Sequence, residues 1–297
     1  MNKLKKEKQK IIFILNPISG TGKQKNIHSL IQKHLDICRF DFEIRETKYA
    51  GHAKELAKDA VNSNAEILIA IGGDGTINEA FQPLVGTNCT FGIIPTGSGN
   101  GLARHLKIPT DLKFAIQLIN KLNTKTIDTA TINNQAFVSI AGIGYDAYVA
   151  KKFDEGKFRG LFSYLGIILR NYISYKEKKY LIRNANQEFS QSAFVISFAN
   201  SDQFGNNALV APQAVIDDGM LEICIVKKIP FYKLPYFTIL VLRRKIQQSR
   251  YYQSFKASDL TIKADQNLLV NIDGEALEMG KKIELKTLPK SLNIIVP

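Results

Sequence analysis

Three times between Ile11 and Gly101, an apolar run of strand length ends in a glycine-bearing loop that opens a helix. The sharpest case is Ala65 to Ala80, AEILIAIGGDGTINEA. Ile67 to Ile71 has the length and composition of a buried strand. Gly72 and Gly73 stop it, Asp74-Gly75-Thr76 turn the chain, and Ile77-Asn78-Glu79-Ala80 begin a helix. Glycine reaches backbone angles that a Cβ forbids and lets a ligand approach the main chain. The helix points free N–H groups and its positive dipole end at the turn, which suits phosphate. Asp74 would repel phosphate directly. It could act through a metal ion or as a base beside a transferred group. The bland alternative is an ordinary turn with Asp74 as a helix cap.

The other two units have the same plan. Ile11 to Leu15 runs into Asn16-Pro17-Ile18-Ser19-Gly20-Thr21-Gly22-Lys23, then a helix from about Asn26 to Leu35. This narrowly misses a P-loop: Pro17 replaces the first glycine, and Gln24 stands where Ser or Thr would hold Mg²⁺, so a P-loop NTPase is excluded. Thr90 to Ile94 enters Pro95-Thr96-Gly97-Ser98-Gly99-Asn100-Gly101, then a helix over 102–106. Leu102 occupies the last glycine position of a G-x-G-x-x-G pattern and rules that pattern out. Between them, a strand over 40–45 leads to Thr47, and Gly51-His52-Ala53 opens a helix through Val61. The Thr47 hydroxyl could take a phosphate or cap that helix, while His52 reads as a capping or packing residue. Three glycine loops at the carboxyl ends of consecutive strands are what an open parallel α/β sheet presents to a nucleotide.

After a further helix over 111–120, the texture changes near Asp128. Strand-like runs take over at 136–140, 179–182, 189–199, 219–226, 260–263 and 268–272. The expected fold class is an N-terminal open α/β nucleotide-binding domain, residues 1–128, and a C-terminal, mostly antiparallel β-sandwich domain, residues 129–280. Two helical stretches interrupt the strands, 158–171 and 230–250, the second closing on Arg243, Arg244 and Lys245. They are either core-facing amphipathic helices or a greasy lipid entrance rimmed by basic groups. Two acidic turns stand out, Val215-Ile216-Asp217-Asp218-Gly219-Met220 and Asn271-Ile272-Asp273-Gly274-Glu275. Each is either a plain turn or a place to hold a metal or take a proton.

The net charge of +13 favours an anionic partner. The lysines are scattered and no nucleic-acid module is present, so nucleic acid is not expected. Cys38, Cys89 and Cys224 are too few and too far apart for a disulfide frame or zinc site and suggest a reducing compartment. The apolar runs are too short to span a bilayer, and Ile11 to Leu15 is too short for a signal sequence. A cytoplasmic protein touching an anionic membrane transiently is expected.

Gly72-Gly73-Asp74-Gly75-Thr76 resembles the GGDGT signature shared by diacylglycerol, sphingosine and NAD kinases. Asn16-Pro17-Ile18-Ser19-Gly20, Thr47 with Gly51-His52-Ala53, and PTGSGNGLARHL from Pro95 are similar to further motifs of the bacterial diacylglycerol/sphingosine kinase-like lipid kinases. NAD kinases carry a different second motif. The resemblance covers nearly the whole chain, from Asn16 to Glu275. It implies ATP contacts at Asn16, Ser19, Gly20, Thr47, Gly72, Gly73, Gly75, Thr76, Asn78, Thr96, Gly97, Ser98 and Asn100. It implies Glu275 as catalytic base, opposite Asp74 across a cleft between the domains. It further implies a structural Mg²⁺ held by Asp218 with the carbonyls of Val215 and Met220. Asp74, with Asp128, would organise a catalytic Mg²⁺, and the last strand, within 281–297, would return to the first domain. Asp146, in Ala141-Gly142-Ile143-Gly144-Tyr145-Asp146, matches the position where sphingosine kinases contact the sphingoid headgroup. The function so implied is an ATP-dependent lipid kinase acting on a lipid alcohol, diacylglycerol before a sphingoid base. An NAD kinase-like soluble kinase and a non-catalytic nucleotide-binding regulator are the alternatives, and a homodimer is left open.

Overall fold

The computed structural model describes residues 8–19, 23–155, 161–185, 187–202 and 209–297. The chain forms two units, Met1–Ile127 with Ser291–Pro297, and Asp128–Lys290. Two strands carry the chain from one unit to the other, β5 (Thr124–Ile132) and the last strand, β16 (Lys282–Ile295).

The first unit alternates strand and helix: β1 (Gln9–Leu15), α1 (Ile27–His34), β2 (Phe40–Glu46), α2 (His52–Asn62), β3 (Ile67–Gly72), α3 (Asp74–Phe81), β4 (Thr90–Pro95), α4 (Gly101–His105) and α5 (Leu112–Lys121). The strands are parallel, in the order β2-β1-β3-β4, and Ile294 at the end of β16 pairs with Phe91 of β4. Residues 11–15 and 67–72 are buried throughout. Helices cover both faces of a parallel sheet, so its central strands read as unbroken apolar runs. From β1 the chain moves outward to β2, then returns past β1 to β3. The loops after β1 and β3 therefore flank the crevice at which such sheets bind ligands. Asp111 caps α5 by accepting the Phe114 amide at 3.1 Å.

The second unit is a two-sheet sandwich. Its further elements are β6 (Gln135–Phe137), β7 (Ile140–Gly144), α6 (Tyr145–Glu155), α7 (Leu161–Tyr172), β8 (Lys178–Arg183), β9 (Glu188–Ala193), β10 (Val195–Ala199), β11 (Leu221–Val226), α8 (Leu234–Leu242), β12 (Tyr252–Ala257), β13 (Asp259–Lys263), β14 (Leu268–Ile272) and β15 (Glu275–Met279). One sheet is antiparallel, β12-β11-β10-β7-β14-β15. Against its inner face lie β9, β8, β13 and β16, with Phe137, Tyr180, Ile182, Phe198, Ile262 and Ile283 among the side chains of the shared core.

Local pattern and structure part at several places. The run at 136–140 is the end of β6 and the start of β7, and the run at 189–199 breaks at Phe194 into β9 and β10. The segment at 230–250 is only helical in part: a 3-10 turn at Phe231–Lys233, α8, and another at Ile246–Gln248. The last strand begins at Lys282, well before Pro289, and the first unit resumes at Ser291. The sequence EALEM gave no strand signal. It becomes β15 because Asp273 (φ 47°) and Gly274 (φ 100°) both take left-handed backbone, the hairpin conformation that matches strand twist.

Candidate active site

The three glycine loops of the first unit interlock. The Asn16 amide donates to Ile71 O at 3.0 Å and the Thr96 amide to Gly72 O at 2.9 Å, tying the ends of β1, β3 and β4 together. Asn16 Nδ2 donates to Thr76 Oγ1 (2.9 Å), and the Ser19 hydroxyl donates to Asn16 O (2.8 Å). With its hydrogen so used, Ser19 Oγ accepts from Thr96 Oγ1 at 3.0 Å. Thr47 sits at the end of β2, its amide bound to Leu15 O at 2.8 Å. Gly20 lies outside the described residues.

The glycines are needed for close approach. A Cβ on Gly97 would sit 2.7 Å from the Gly73 Cα, which is backbone and cannot swing away. A Cβ on Gly72 would meet Thr76 Cβ at 2.4 Å, whereas Gly75 faces open space and Ser98 is exposed. Asn100 takes left-handed backbone (φ 51°) and donates from Nδ2 to Gly97 O at 2.7 Å, while its own Oδ1 is buried with no partner. Asn78 is buried in α3 and accepts from Gln82 at 3.3 Å.

Asp74 does something its position in the motif did not reveal. Its two carboxylate oxygens accept the amides of Asn100 and Gly101, each at 2.8 Å. It therefore caps α4, the helix after the third loop, and not its own helix. The first-turn amides of α3 have no acceptor within that helix, since its first backbone bond runs from Ile77 N to Gly73 O. Spending Asp74 on α4 leaves the positive end of α3 open to an anion.

Three organising residues escaped sequence reasoning. Glu79 accepts the Gly51 and Ala53 amides (2.9 and 3.1 Å), fixing the start of α2 from 28 and 26 residues away. Gln24, at the Ser/Thr position of a P-loop, instead donates to Pro17 O (3.0 Å) and to Ser19 O. Arg104 Nε holds Gly99 O at 2.9 Å. No local pattern marks these three. His52 accepts the Lys48 amide at 3.0 Å and stacks on Tyr49.

In the second unit, the DGE turn splits its acids between two jobs. Asp273 accepts the amides of Val138 (3.0 Å), Ser139 (3.1 Å) and Ile140 (2.9 Å), so it anchors the hairpin. A left-handed Asp before Gly in the sequence signals the turn, but not those bonds. Glu275, paired with Ile272 across the turn, is exposed at the hairpin tip.

The proposed metal ligands are already engaged. Asp128 is fully buried, and its oxygens accept the Gly219 amide at 2.6 Å and the Lys290 amide at 2.7 Å. Asp218 takes the Met220 amide (3.1 Å) on one oxygen and the Lys256 ammonium on the other. A divalent ion held by Asp218 with the Val215 and Met220 carbonyls would have to displace that ammonium. Among the described residues, no group of three His, Cys, Asp or Glu side chains gathers as a metal site.

Asp146 begins α6 with both carboxyl oxygens buried and without a hydrogen bond of good geometry. They lie over bare backbone, for a Cβ on Gly142 would fall 2.2 Å from Oδ2. The rings of Tyr145, Tyr148, Tyr172, Tyr175 and Phe194 form a connected cluster around the start of this helix. Burial pushes the Asp146 pKa up to about 7, against the weaker opposing pull of the Ala147 amide and the Asn271 side chain. The folded pKa is raised, so the charged form is the costly one. Asp146 costs nothing below its ordinary value of 3.8, and the protein loses stability as pH rises from there through about 7. Asp146→Asn is therefore expected to leave the melting temperature at pH 4 nearly unchanged. At pH 8 it should stabilise by about 2–4 kcal/mol. Parallel thermal melts across that range check this, and identical pH profiles would refute it.

Comparison with known proteins places these motifs in a family. Residues 10–132 match the diacylglycerol kinase catalytic domain, and residues 139–296 match the YegS C-terminal NAD kinase beta sandwich-like domain. A Klebsiella pneumoniae (strain 342) protein named "Probable lipid kinase YegS-like" is 30% identical over 262 residues, covering 86% of each chain. The diacylglycerol kinase of Bacillus subtilis (strain 168) is 28% identical, covering 89% of this chain and 88% of its own. The crystal structure of a diacylglycerol kinase from Bacillus anthracis str. Sterne shares the fold, with a TM-score of 0.76 at 24% identity over 99% of this chain and 98% of that one. With its catalytic-domain motifs joined to the matching β-sandwich, this chain belongs to the family of diacylglycerol kinases and YegS-like lipid kinases, enzymes that use ATP.

Proposed function

We propose that the protein phosphorylates the hydroxyl of a neutral lipid alcohol, diacylglycerol first among them. The observation that carries the substrate preference is Asp146. A sphingoid base brings an ammonium, which calls for a carboxylate that is charged and accessible. The Asp146 carboxyl is buried, and burial pushes its pKa up to about 7. A carboxyl so placed, and neutral when protonated, offers a cationic headgroup no counter-charge. The name of the Bacillus subtilis relative supports the same choice.

In this reading the phosphates of ATP lie along the bare backbone of Gly72, Gly73 and Gly97 at the N-terminus of α3. Glu275 takes the proton from the lipid hydroxyl as its oxygen attacks the γ-phosphorus. The bond from that phosphorus to the bridging oxygen breaks, ADP leaves, and the lipid leaves as a phosphate monoester. Mg²⁺ on the ATP phosphates would neutralise charge on the transferred group. The protein's own share is positioning and a dry, correctly charged site.

The test is direct. Purified protein is incubated with ATP labelled on the γ-phosphate and with diacylglycerol, a sphingoid base or a total lipid extract, and the labelled product is identified. Phosphatidic acid as the preferred product is expected. Preferential labelling of the sphingoid base, lost selectively in Asp146→Asn, would reverse the substrate assignment. Label in no lipid would end the lipid-kinase reading.

A further inference from the structure

We infer that α8 is a membrane-docking element that seats the second unit on an anionic lipid bilayer. The inference rests on the lipid-kinase reading for its purpose and on α8 itself for its chemistry. Helix α8 has the sequence LPYFTILVL, with Thr238 its one polar residue. One side is accounted for: Leu234, Phe237 and Val241 pack with the buried cluster of Ile140, Ala199, Val226 and Ile246. The other side is apolar too, yet it lies open. Tyr236, Ile239 and Leu242 (62% exposed) recur at helical spacing along a single stripe, and Tyr232 (78%) stands exposed in the 3-10 turn before it. A stripe of this kind is costly in water unless something covers it.

Apolar side chains are exposed just past α7 as well. Ile173 (71% exposed) and Phe231 line the same open cavity of about 580 Å³, and Leu169 is exposed one turn earlier. The two tyrosines, Tyr232 and Tyr236, suit the headgroup level, where one end of the ring is apolar and the other wet.

Charge complementarity selects the occupant. From Ile223 to Ser258 the chain carries eight Lys and Arg and no Asp or Glu. Arg243, Arg244 and Lys245 follow the stripe directly and are exposed, and Lys233 precedes it, 5.7 Å from the Tyr232 ring centroid. Glu177, which lines that cavity, accepts the Lys228 amide at 2.5 Å. A second copy of this chain would bring the same cations face to face. An anionic bilayer offers apolar depth for the stripe and negative headgroups for its rim. Each cation near such a surface strengthens binding by about fivefold.

The chain contains no tryptophan, so Tyr236→Trp makes a single reporter on the stripe. Vesicles of phosphatidylcholine alone, and with roughly a third phosphatidylglycerol, are titrated against it. The anionic vesicles are expected to shift its emission to the blue and to carry the protein upward on flotation, and the neutral ones to do so at least tenfold more weakly. Ile239→Asp with Leu242→Asp should lower binding to anionic vesicles by roughly a hundredfold, while melting temperature and turnover of detergent-dispersed diacylglycerol stay as in the wild type. Equal binding to both vesicles, no emission shift, or full binding by the double variant would overturn the inference. So would a concentration-dependent dimer abolished by the same variant, which would make the occupant a second copy. Vesicle binding needs no catalysis. If no lipid is phosphorylated but the stripe still inserts, the kinase reading fails and the docking surface stands.

Discussion

Glu275→Gln is expected to lower turnover by roughly a thousandfold, within the range for loss of a positioned general base, and to leave ATP affinity within about twofold. Glu275 opens β15, one residue past a turn whose backbone is fixed by Asp273 and its three amide bonds. The hairpin therefore survives the substitution, and glutamine preserves the shape of the side chain. Only the capacity to take a proton is lost. Single-turnover kinetics with saturating ATP and dispersed lipid measure the effect, and nucleotide titration supplies the control. A variant that turns over lipid at the wild-type rate would remove Glu275 from the chemistry.

Asp74→Ala is expected to weaken ATP binding by at least tenfold, and Asp74→Asn to do nearly the same. The bonds to Asn100 and Gly101 make Asp74 a positioning residue for the third glycine loop. Alanine leaves two amides without their acceptor and removes a negative charge from a helix N-terminus, each a loss of about 1 kcal/mol or more. Asparagine fares little better, because one of the two amides would then face an NH₂ group. Released from α4, the loop no longer presents Gly97 against Gly73. If Asp74 served only as a metal ligand or base, kcat would fall while nucleotide affinity held. Measuring Kd for ATP alongside kcat therefore separates the two roles. Gly97→Ala acts on the same contact from the other side, through the 2.7 Å approach to the Gly73 backbone. It should lose ATP affinity even though Asp74 is intact. Normal nucleotide affinity in all three variants would detach this loop pair from the nucleotide.

Sequence alone determined the parts of this protein that are governed by local physics. The strands at 11–15 and 67–71 were legible because parallel strands covered on both faces need unbroken apolar runs. The loops that follow were legible because glycine is required wherever two main chains, or a main chain and a ligand, come close. The sandwich character of the second half was legible from its alternating strand-like runs. Tertiary structure decided the rest, where the cause lies far along the chain. EALEM became a strand because a left-handed turn folded it back onto β14. Asp74 became the cap of a helix that starts 27 residues later. Glu79 took charge of α2, Asp273 of the start of β7, and Lys256 of Asp218. A carboxylate satisfies whichever amides or ammonium the fold brings to it, and the sequence around it does not name them. The same holds for α8: the sequence left a core-facing helix and a lipid entrance both open, and only the packing showed that one side is buried while the other lies exposed.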